Sequence, residues 1–528
     1  MPSERGSGMD QLISGGSLAA IIADSIRRFG ARPMISDDQK ALTYAELGEL
    51  IGRFGSLYRS IGLSKGDGVG LLTGNRVETW AAICAAAVFG LRFTPLHPLA
   101  GEEDHVHVIG DAELDVLFFD AEKFGARASI IKSRLPSLNI FSFGASELAE
   151  DALAILEGLP PLDLIDRADP EDLVMLAYTG GTTGLSKGVM LPHRALSAMA
   201  ITISAEWEWP EDIHYALMTP ISHAAGVNIY PVMLRGGRVR LISGFDVSRF
   251  CEIVEAERVS ATFLVPTLVN ALIEADSLIA QYDLSSLQLI IYGAAPMSPD
   301  RLAAAIRVLG PVFLQLYGQT EAPQVVTTLR KADHDLARPE RLGSCGRATT
   351  LTQIRLFDER MEEVSPGQPG ELCVRGPLVC NGYWKQPEQT EALFRGGWLH
   401  TGDVAIQDEA GYFTIVDRIK DLIISGGFNI YPREVEDALM SHPDILSAGV
   451  IGIPDAKWGE AVKAFVVLRQ GSKVTEGQLQ AHVKALRGAP WSPKSIEFRS
   501  ELPLTGVGKL DRKTLRHPYW KQASRSVS

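Results

Sequence analysis

An alanine-rich apolar run of 12 residues, WAAICAAAVFGL (80–91), lies between two short apolar segments, GVGLL (68–72) and DVLFFD (115–120). This arrangement restricts the fold more than any other feature of the chain. Short apolar runs bounded by Gly and Asp fit strands covered on both faces. The run between them is too short to cross a bilayer and suits a buried helix. Strand, helix and strand in that order form a β-α-β unit of a mostly parallel sheet. Further strands are expected at 173–178, 260–265 and 287–292, separated by helical periodicity such as that of 247–256. Leu18, Ile21, Ile22, Ile26 and Phe29 mark one face of an early helix, and residues 44–58 continue the pattern. The fold class is α/β, with more than one sheet.

At 528 residues the chain is too long for one core and calls for two to four cooperating units. Between residues 367 and 412 the texture changes to short alternating strands broken by Gly, Pro and Asp, as expected of a β-rich lobe. After VDRIKD (416–421) a new α+β pattern begins, with helices at 434–441 and 475–487 and strands at 448–453 and 462–468. A boundary near Asp417 divides a large multi-lobed domain, 1–416, from a small one, 417–528.

The chain has 51 basic and 64 acidic residues, a net charge of −13, which argues against nucleic acid or an anionic membrane as the main partner. Its five cysteines form no C-x-x-C pair, so neither a disulfide framework nor a zinc site is expected, and a reducing cytoplasm fits best. The start, MPSERGSGMDQ, lacks the apolar core of a secretory signal. No transmembrane segment is expected. Monomer and homodimer are both compatible with the sequence.

The chemistry is announced by YTGGTTGLSKG (178–188). GLSKG fits the G-x-S-x-G pattern of a hydrolase nucleophile elbow, but an elbow needs a helix directly after its serine. GVMLPH follows instead, a short apolar run closed by Pro192, so that a helix can begin only around His193. Upstream, Thr179, Gly180, Gly181, Thr182, Thr183 and Gly184 combine glycines, whose amides can turn toward an anion, with hydroxyl donors, and Lys187 adds positive charge. This is a phosphate loop. It lacks the G-K-[ST] of the Walker A motif.

YTGGTTGLSKG resembles the phosphate loop of the adenylate-forming superfamily of acyl-CoA synthetases, luciferases and peptide-synthetase adenylation domains. Other motifs similar to that family's follow in order: YGAAP (292–296), LYGQTE (316–321), GSCGR (343–347), GELCVRG (370–376), GWLHTGD (397–403), VDRIKDLIISGGFNIYPREVE (416–436) and PLTGVGKLDRKTLR (503–516). The loop departs from the common spelling at Gly180, usually serine, and at Ser186, usually proline. The resemblance implies a large amino-terminal domain with a mobile carboxy-terminal one. It also implies ATP, Mg²⁺ and CoA as reaction partners of a small carboxylic acid.

The resemblance further implies site roles. Lys509 would lie between the substrate carboxylate and the α-phosphate, and His223 near the carboxylate. Glu321, with Thr179 second, would hold Mg²⁺. Gly293, Ala294, Ala295, Gln315, Tyr317 and Gly318 would surround adenine, and Thr320 would donate to the phosphate. Asp403 would accept from ribose hydroxyls, with Arg418 and Lys420 as further contacts. Gly426 and Gly427 would line the pantetheine path, and Asp417 would be the hinge. Outside such a series Glu321 could cap a helix, Asp403 and Gly426–Gly427 could be plain turns, and His223 could be structural.

The expected activity is ATP-dependent acyl-CoA ligation through an acyl-AMP, with a fatty acid as first choice. Aromatic, alicyclic and steroid-side-chain acids are alternatives, as is an acyl-AMP ligase that loads a carrier protein. An amino-acid substrate is not expected, because the Phe-Asp of GFDVS (244–248) follows LRGGRVRLI (234–242) where it should precede it.

Overall fold

The computed structural model describes residues 16–179, 186–455, 457–504 and 510–520. Its first helix, Leu18–Phe29, is capped by Ser17, whose hydroxyl accepts from the Ala20 amide at 2.9 Å, and it buries Leu18, Ile21 and Ile22. Helix Tyr44–Ser60 begins with a capping box of Thr43 and Glu46. The alanine-rich run forms helix Val77–Val88, buried along its whole length, because small side chains let neighbouring elements approach on every side.

Strands Gly68–Leu72, Arg92–Pro95, Leu114–Asp120 and Asn139–Phe143 pair in parallel, as the β-α-β reading requires. Leu173–Thr179 joins them beside Arg92–Pro95, also in parallel. It then pairs antiparallel with Lys187–Pro192, Thr179 opposite Lys187. The phosphate-loop sequence therefore connects two strands of a hairpin, and helix His193–Glu206 starts only after the second strand. A nucleophile elbow is ruled out by this connection.

A second sheet has Ala261–Leu264, Leu289–Tyr292 and Phe313–Tyr317 as parallel neighbours, with His214–Leu217 and Arg238–Leu241 continuing it on one side. One hydrophobic core runs between this sheet and the first, and it includes Trp80, Phe118, Tyr215 and Leu314. A third, antiparallel sheet orders Gln353–Phe357, Pro369–Arg375, Leu399–Gln407 and Phe413–Arg418. This is the β-rich lobe, and it begins earlier than residue 367.

The fourth sheet uses only residues beyond 421: Ile423–Ser425, Phe428–Ile430, Ile445–Asp455, Gly459–Leu468 and Ser495–Phe498. Helices Pro432–Met440 and Glu476–Arg487 pack on it around a separate core of Ile423, Val435, Leu439, Val462 and Leu479. No helix of the described residues is long and apolar enough to cross a membrane.

Candidate active site

Parallel strands direct their following loops to one edge of a sheet, where ligands of α/β proteins bind. Gly293, Ala294 and Ala295 follow Leu289–Tyr292, and Gly318 and Thr320 follow the adjacent Phe313–Tyr317. Gly293 is buried, whereas Ala294, Gly318 and Thr320 are half-buried. Ala294 adopts φ +63°, a left-handed conformation that costs about 1 kcal/mol or more in a residue with a Cβ. Ordinary strand-end packing does not require such a conformation. Gln315 Oε1 accepts from the Tyr292 hydroxyl at 3.2 Å.

Asp403 is the hub on the facing side. Its carboxylate is buried and accepts from the Tyr317 hydroxyl at 2.7 Å and from Gln319 Nε2 at 2.7 Å. Arg418, its cross-strand partner, brings Nε to 3.2 Å from the other oxygen. Both Asp403 and the ring-bearing Tyr317 are thus held before any ligand arrives. Burial, followed by the neighbouring Asp403 charge, pushes the Tyr317 phenol well above its ordinary pKa, so it stays a donor. Gln319 carries no signal of its own in the sequence, although it sits inside LYGQTE.

Asp403 is placed by a brace. The pairing of Pro369–Arg375 with Leu399–Gln407 shifts register between Glu371 and Cys373, and one Glu371 oxygen accepts from the Gly402 amide at 3.0 Å. The other lies 2.7 Å from His400 Nδ1. Thr401 Oγ1 donates to the Leu372 carbonyl at 2.6 Å and accepts from the Asp403 amide at 3.1 Å. Glu371 is equally silent in the sequence, since nothing in GELCVRG indicates that its carboxylate reaches the Thr-Gly-Asp turn.

On the phosphate side, Gly180, Gly181, Thr182, Thr183 and Gly184 lie outside the described residues. The strands leading to them are fixed: Thr179 is half-buried opposite Lys187, and the Ser186 carbonyl meets His107 Nε2 at 3.1 Å. The Lys187 ammonium lies over the Tyr383 ring, 5.4 Å from its centroid, and donates to Gln389 Oε1. The Tyr383 hydroxyl in turn donates to Glu321 Oε1 at 2.8 Å. Tyr383 thereby connects the loop lysine to the candidate metal ligand, a link between motifs that the sequence does not reveal.

His223 follows the loop after His214–Leu217. Its Nδ1 is 2.8 Å from Ser222 Oγ. Asn75 fixes that loop by donating to the Thr219 carbonyl at 3.0 Å and accepting from the Ile221 amide at 2.8 Å.

In the carboxy-terminal unit, Gly426 and Gly427 form the two-residue tip between Ile423–Ser425 and Phe428–Ile430, with φ of +59° and +82°. Lys420 is solvent-exposed. Lys509 lies outside the described residues, but the segment's flanks are closed by a bridge between Leu504 and Leu510.

Asp417 is buried at the junction. It accepts from the Arg418 amide at 2.7 Å and from the Arg433 amide at 2.9 Å, tying the third sheet to helix Pro432–Met440. Burial pushes its carboxyl up to about 6; Glu436 adds to this and Arg512 opposes it. An acid raised in the folded state is penalised when ionised, so its cost is absent below its unfolded pKa near 4 and complete above about pH 6. The penalty amounts to about 3 kcal/mol. Asp417→Asn should therefore flatten the loss of stability between about pH 4 and pH 6, measured by denaturant unfolding of wild type and variant; parallel pH profiles would contradict this.

The chain matches the AMP-binding enzyme family over residues 22–384 and the AMP-binding enzyme C-terminal domain over residues 434–509. It is 39% identical to the medium/long-chain-fatty-acid–CoA ligase FadD8 of Mycobacterium tuberculosis, covering 99% of this chain and 95% of that one. It is 38% identical to a feruloyl-CoA synthase of an Amycolatopsis species, covering 91% and 94% respectively. Among solved structures, the amide bond synthetase McbA of Marinactinospora thermotolerans is similar with a TM-score of 0.87 at 31% identity, covering 95% of this chain and all of that one. ATP-bound MatB of Rhodopseudomonas palustris gives 0.86 at 28%, covering 96% and 100%. With both matches in sequence order and most of its length taken up by them, the chain belongs to the AMP-binding enzyme family.

Proposed function

We propose that this protein is an ATP-dependent acyl-CoA ligase whose acid is a fatty acid. A carboxylate is a poor acyl donor because it is anionic and carries a bad leaving group. Attack of its oxygen on the α-phosphate of ATP releases pyrophosphate and makes an acyl-AMP, from which the thiol of CoA displaces AMP. The first step brings one anion against another, so oriented donors and positive charge must stand where charge accumulates. The observation that carries the reading is the Asp403 hub. A buried carboxylate is fixed by Tyr317 and Gln319, at the end of one strand and in the loop after it, and by Arg418 across its own sheet. A carboxylate offers about four acceptor positions, so one remains for a ribose hydroxyl.

Tyr317 and the strained 293–295 turn would flank adenine, with Gly318 beside them, Gln315 supporting through Tyr292, and Arg418 and Lys420 as outer contacts. The hairpin residues 179–184 and Lys187 would hold the phosphates, and Thr320 would donate to the adenylate. Glu321 suits Mg²⁺: it is a half-buried oxygen donor oriented by Tyr383, with one oxygen uncommitted to that bond, and Thr179 would be the second ligand. Magnesium, when bound, neutralises phosphate charge. Lys509 and His223 would act at the carboxylate. Asp417 would be the hinge between domains 1–416 and 417–528, and Gly426 and Gly427 would line the thiol path.

The fatty-acid choice rests on the relative that covers 99% of this chain. A hydroxycinnamate is the second reading, favoured by the relative at 38% identity. Five buried free thiols support a reducing cytoplasm. The test is incubation with ATP, Mg²⁺ and a panel of saturated acids of graded length and hydroxycinnamates, with and without CoA, and products identified by mass. Acyl-CoA from the saturated acids is expected. Adenylate without thioester would favour a carrier-protein acceptor instead.

If the Glu371 brace positions Asp403, Glu371→Ala should raise the KM for ATP by about tenfold, the worth of one lost charged hydrogen bond. Glu371→Gln, which can still accept from the Gly402 amide, should raise it less. Equal KM values for wild type and Glu371→Ala would refute the brace.

A further inference from the structure

His97 stands where the two large sheets meet the phosphate hairpin. It follows strand Arg92–Pro95, which lies in parallel beside Leu173–Thr179, the strand that runs into the phosphate loop. From the second sheet, the loop after His214–Leu217 brings His223 against it, with ring centroids 4.2 Å apart and planes at 84°. The two imidazoles therefore bring together the loops that follow a strand of each sheet.

The tautomer of His97 follows from its partners. The Leu99 amide donates to His97 Nδ1 at 3.0 Å, so that nitrogen bears a lone pair and the ring proton resides on Nε2. Burial, and then the nearby His105, hold His97 below the ordinary histidine pKa, which keeps the ring neutral. His105 is oriented as well: Arg127 lies 2.9 Å from its Nδ1, and its Nε2 lies 2.9 Å from the His97 carbonyl. The His97 Nε2–H is left buried with no hydrogen-bond partner among the described residues. A buried donor without an acceptor is costly and is rarely retained unless something fills it. Here the Leu99 amide and a second histidine fix the ring and leave one spare donor beside His223.

We propose that His97 is a further substrate-binding residue of the acyl-adenylation site, its Nε2–H donating to a carboxyl oxygen of the reacting acid beside His223. The inference rests on the acyl-adenylating function proposed above. It makes His97 a neutral donor to an oxygen that stays in place as the carboxylate becomes the acyl carbonyl of the adenylate. No proton is transferred.

The test uses the full-length protein and a non-hydrolysable acyl sulfamate analogue of the acyl-AMP, with AMP alone as the control ligand. His97→Phe keeps a flat ring against His223 and removes the donor; His97→Gln loses the ring and keeps a donor. Affinity of His97→Phe for the acyl analogue is expected to fall at least about tenfold, with AMP affinity unchanged and His97→Gln near wild type. Should His97→Phe not fold, His97→Met is measured in its place. If the donor-free variant binds the analogue like wild type while His97→Gln weakens, the ring is only a wall for His223 and the proposal is overturned. Equal losses for AMP and the acyl analogue overturn it too, by moving the contact to the phosphate. Absence of acid-dependent ATP–pyrophosphate exchange in the wild type would instead defeat the proposed function.

Discussion

Lys509→Ala is expected to lower acid-dependent ATP–pyrophosphate exchange by at least about 100-fold, the usual effect of removing one group aimed at developing charge. It should leave thioester formation from supplied acyl-AMP within about threefold of wild type on the same criterion. The asymmetry follows from charge. A carboxylate approaching a phosphate is repelled in the first half-reaction, and an ammonium between them opposes that repulsion. In the second half-reaction the acyl group is already neutral at its carbonyl, and AMP leaves without a carboxylate to be shielded. The chain on either side of the lysine is anchored. Leu510, its neighbour, pairs with Leu504 and packs toward Ile451, Phe465 and Leu515. Arg512, two positions further on, is locked to Glu436 at 2.6 Å. Equal loss of both half-reactions would mean that Lys509 supports the fold or both chemistries alike, and the assigned role would fail.

Gly427→Trp should do the reverse, sparing pyrophosphate exchange and cutting thioester formation by about 100-fold, as expected when a reacting group is kept out of position. The two glycines of the hairpin tip differ. A Cβ on Gly426 would fall 2.6 Å from Trp458 Cε3, so substitution there disturbs the tip itself. A Cβ on Gly427 meets nothing within 4 Å. Substitution at 427 therefore begins without a clash, at a cost of about 1–3 kcal/mol for its positive φ, and an indole there would stand in the path proposed for the pantetheine arm. Normal thioester formation by a folded Gly427→Trp protein would remove the hairpin tip from the thiol path.

Much of this architecture is legible in sequence because strands buried on both faces must be apolar throughout. GVGLL becomes Gly68–Leu72 without adjustment, and the closure of GVMLP by proline foretells that helix His193–Glu206 starts late. Edges are less legible. Gln353–Phe357, an edge strand with exposed Gln353 and Arg355, lacks the apolar signal that its sheet partners carry, so the β-rich lobe is drawn too short. Helix Pro432–Met440 begins two residues ahead of its expected start because proline fits the first turn, where no amide bond is lost.

The site divides in the same way. Motifs supply residues one stretch at a time, and the reactive arrangement depends on contacts between stretches. Gln319 reaches Asp403, Tyr383 reaches Glu321 and His97 reaches His223, and none of these pairs has a spacing that sequence alone can reveal. Arg418 is paired with Asp403 across two strands, a register fixed by the bulge between Val404 and Ala405. The burial that raises Asp417 likewise involves a distant stretch, helix Pro432–Met440, whose Arg433 amide donates to it.

The central claim is that carboxylate oxygen attacks the α-phosphate of ATP. The most direct measurement follows a carboxylic acid labelled with ¹⁸O in its carboxyl group through a complete reaction with ATP, Mg²⁺ and CoA. Thiol attack on the acyl-AMP breaks the bond between carbonyl carbon and bridging oxygen, so the account predicts one ¹⁸O in the released AMP and none in pyrophosphate. Label in inorganic phosphate or pyrophosphate, with AMP unlabelled, would contradict it.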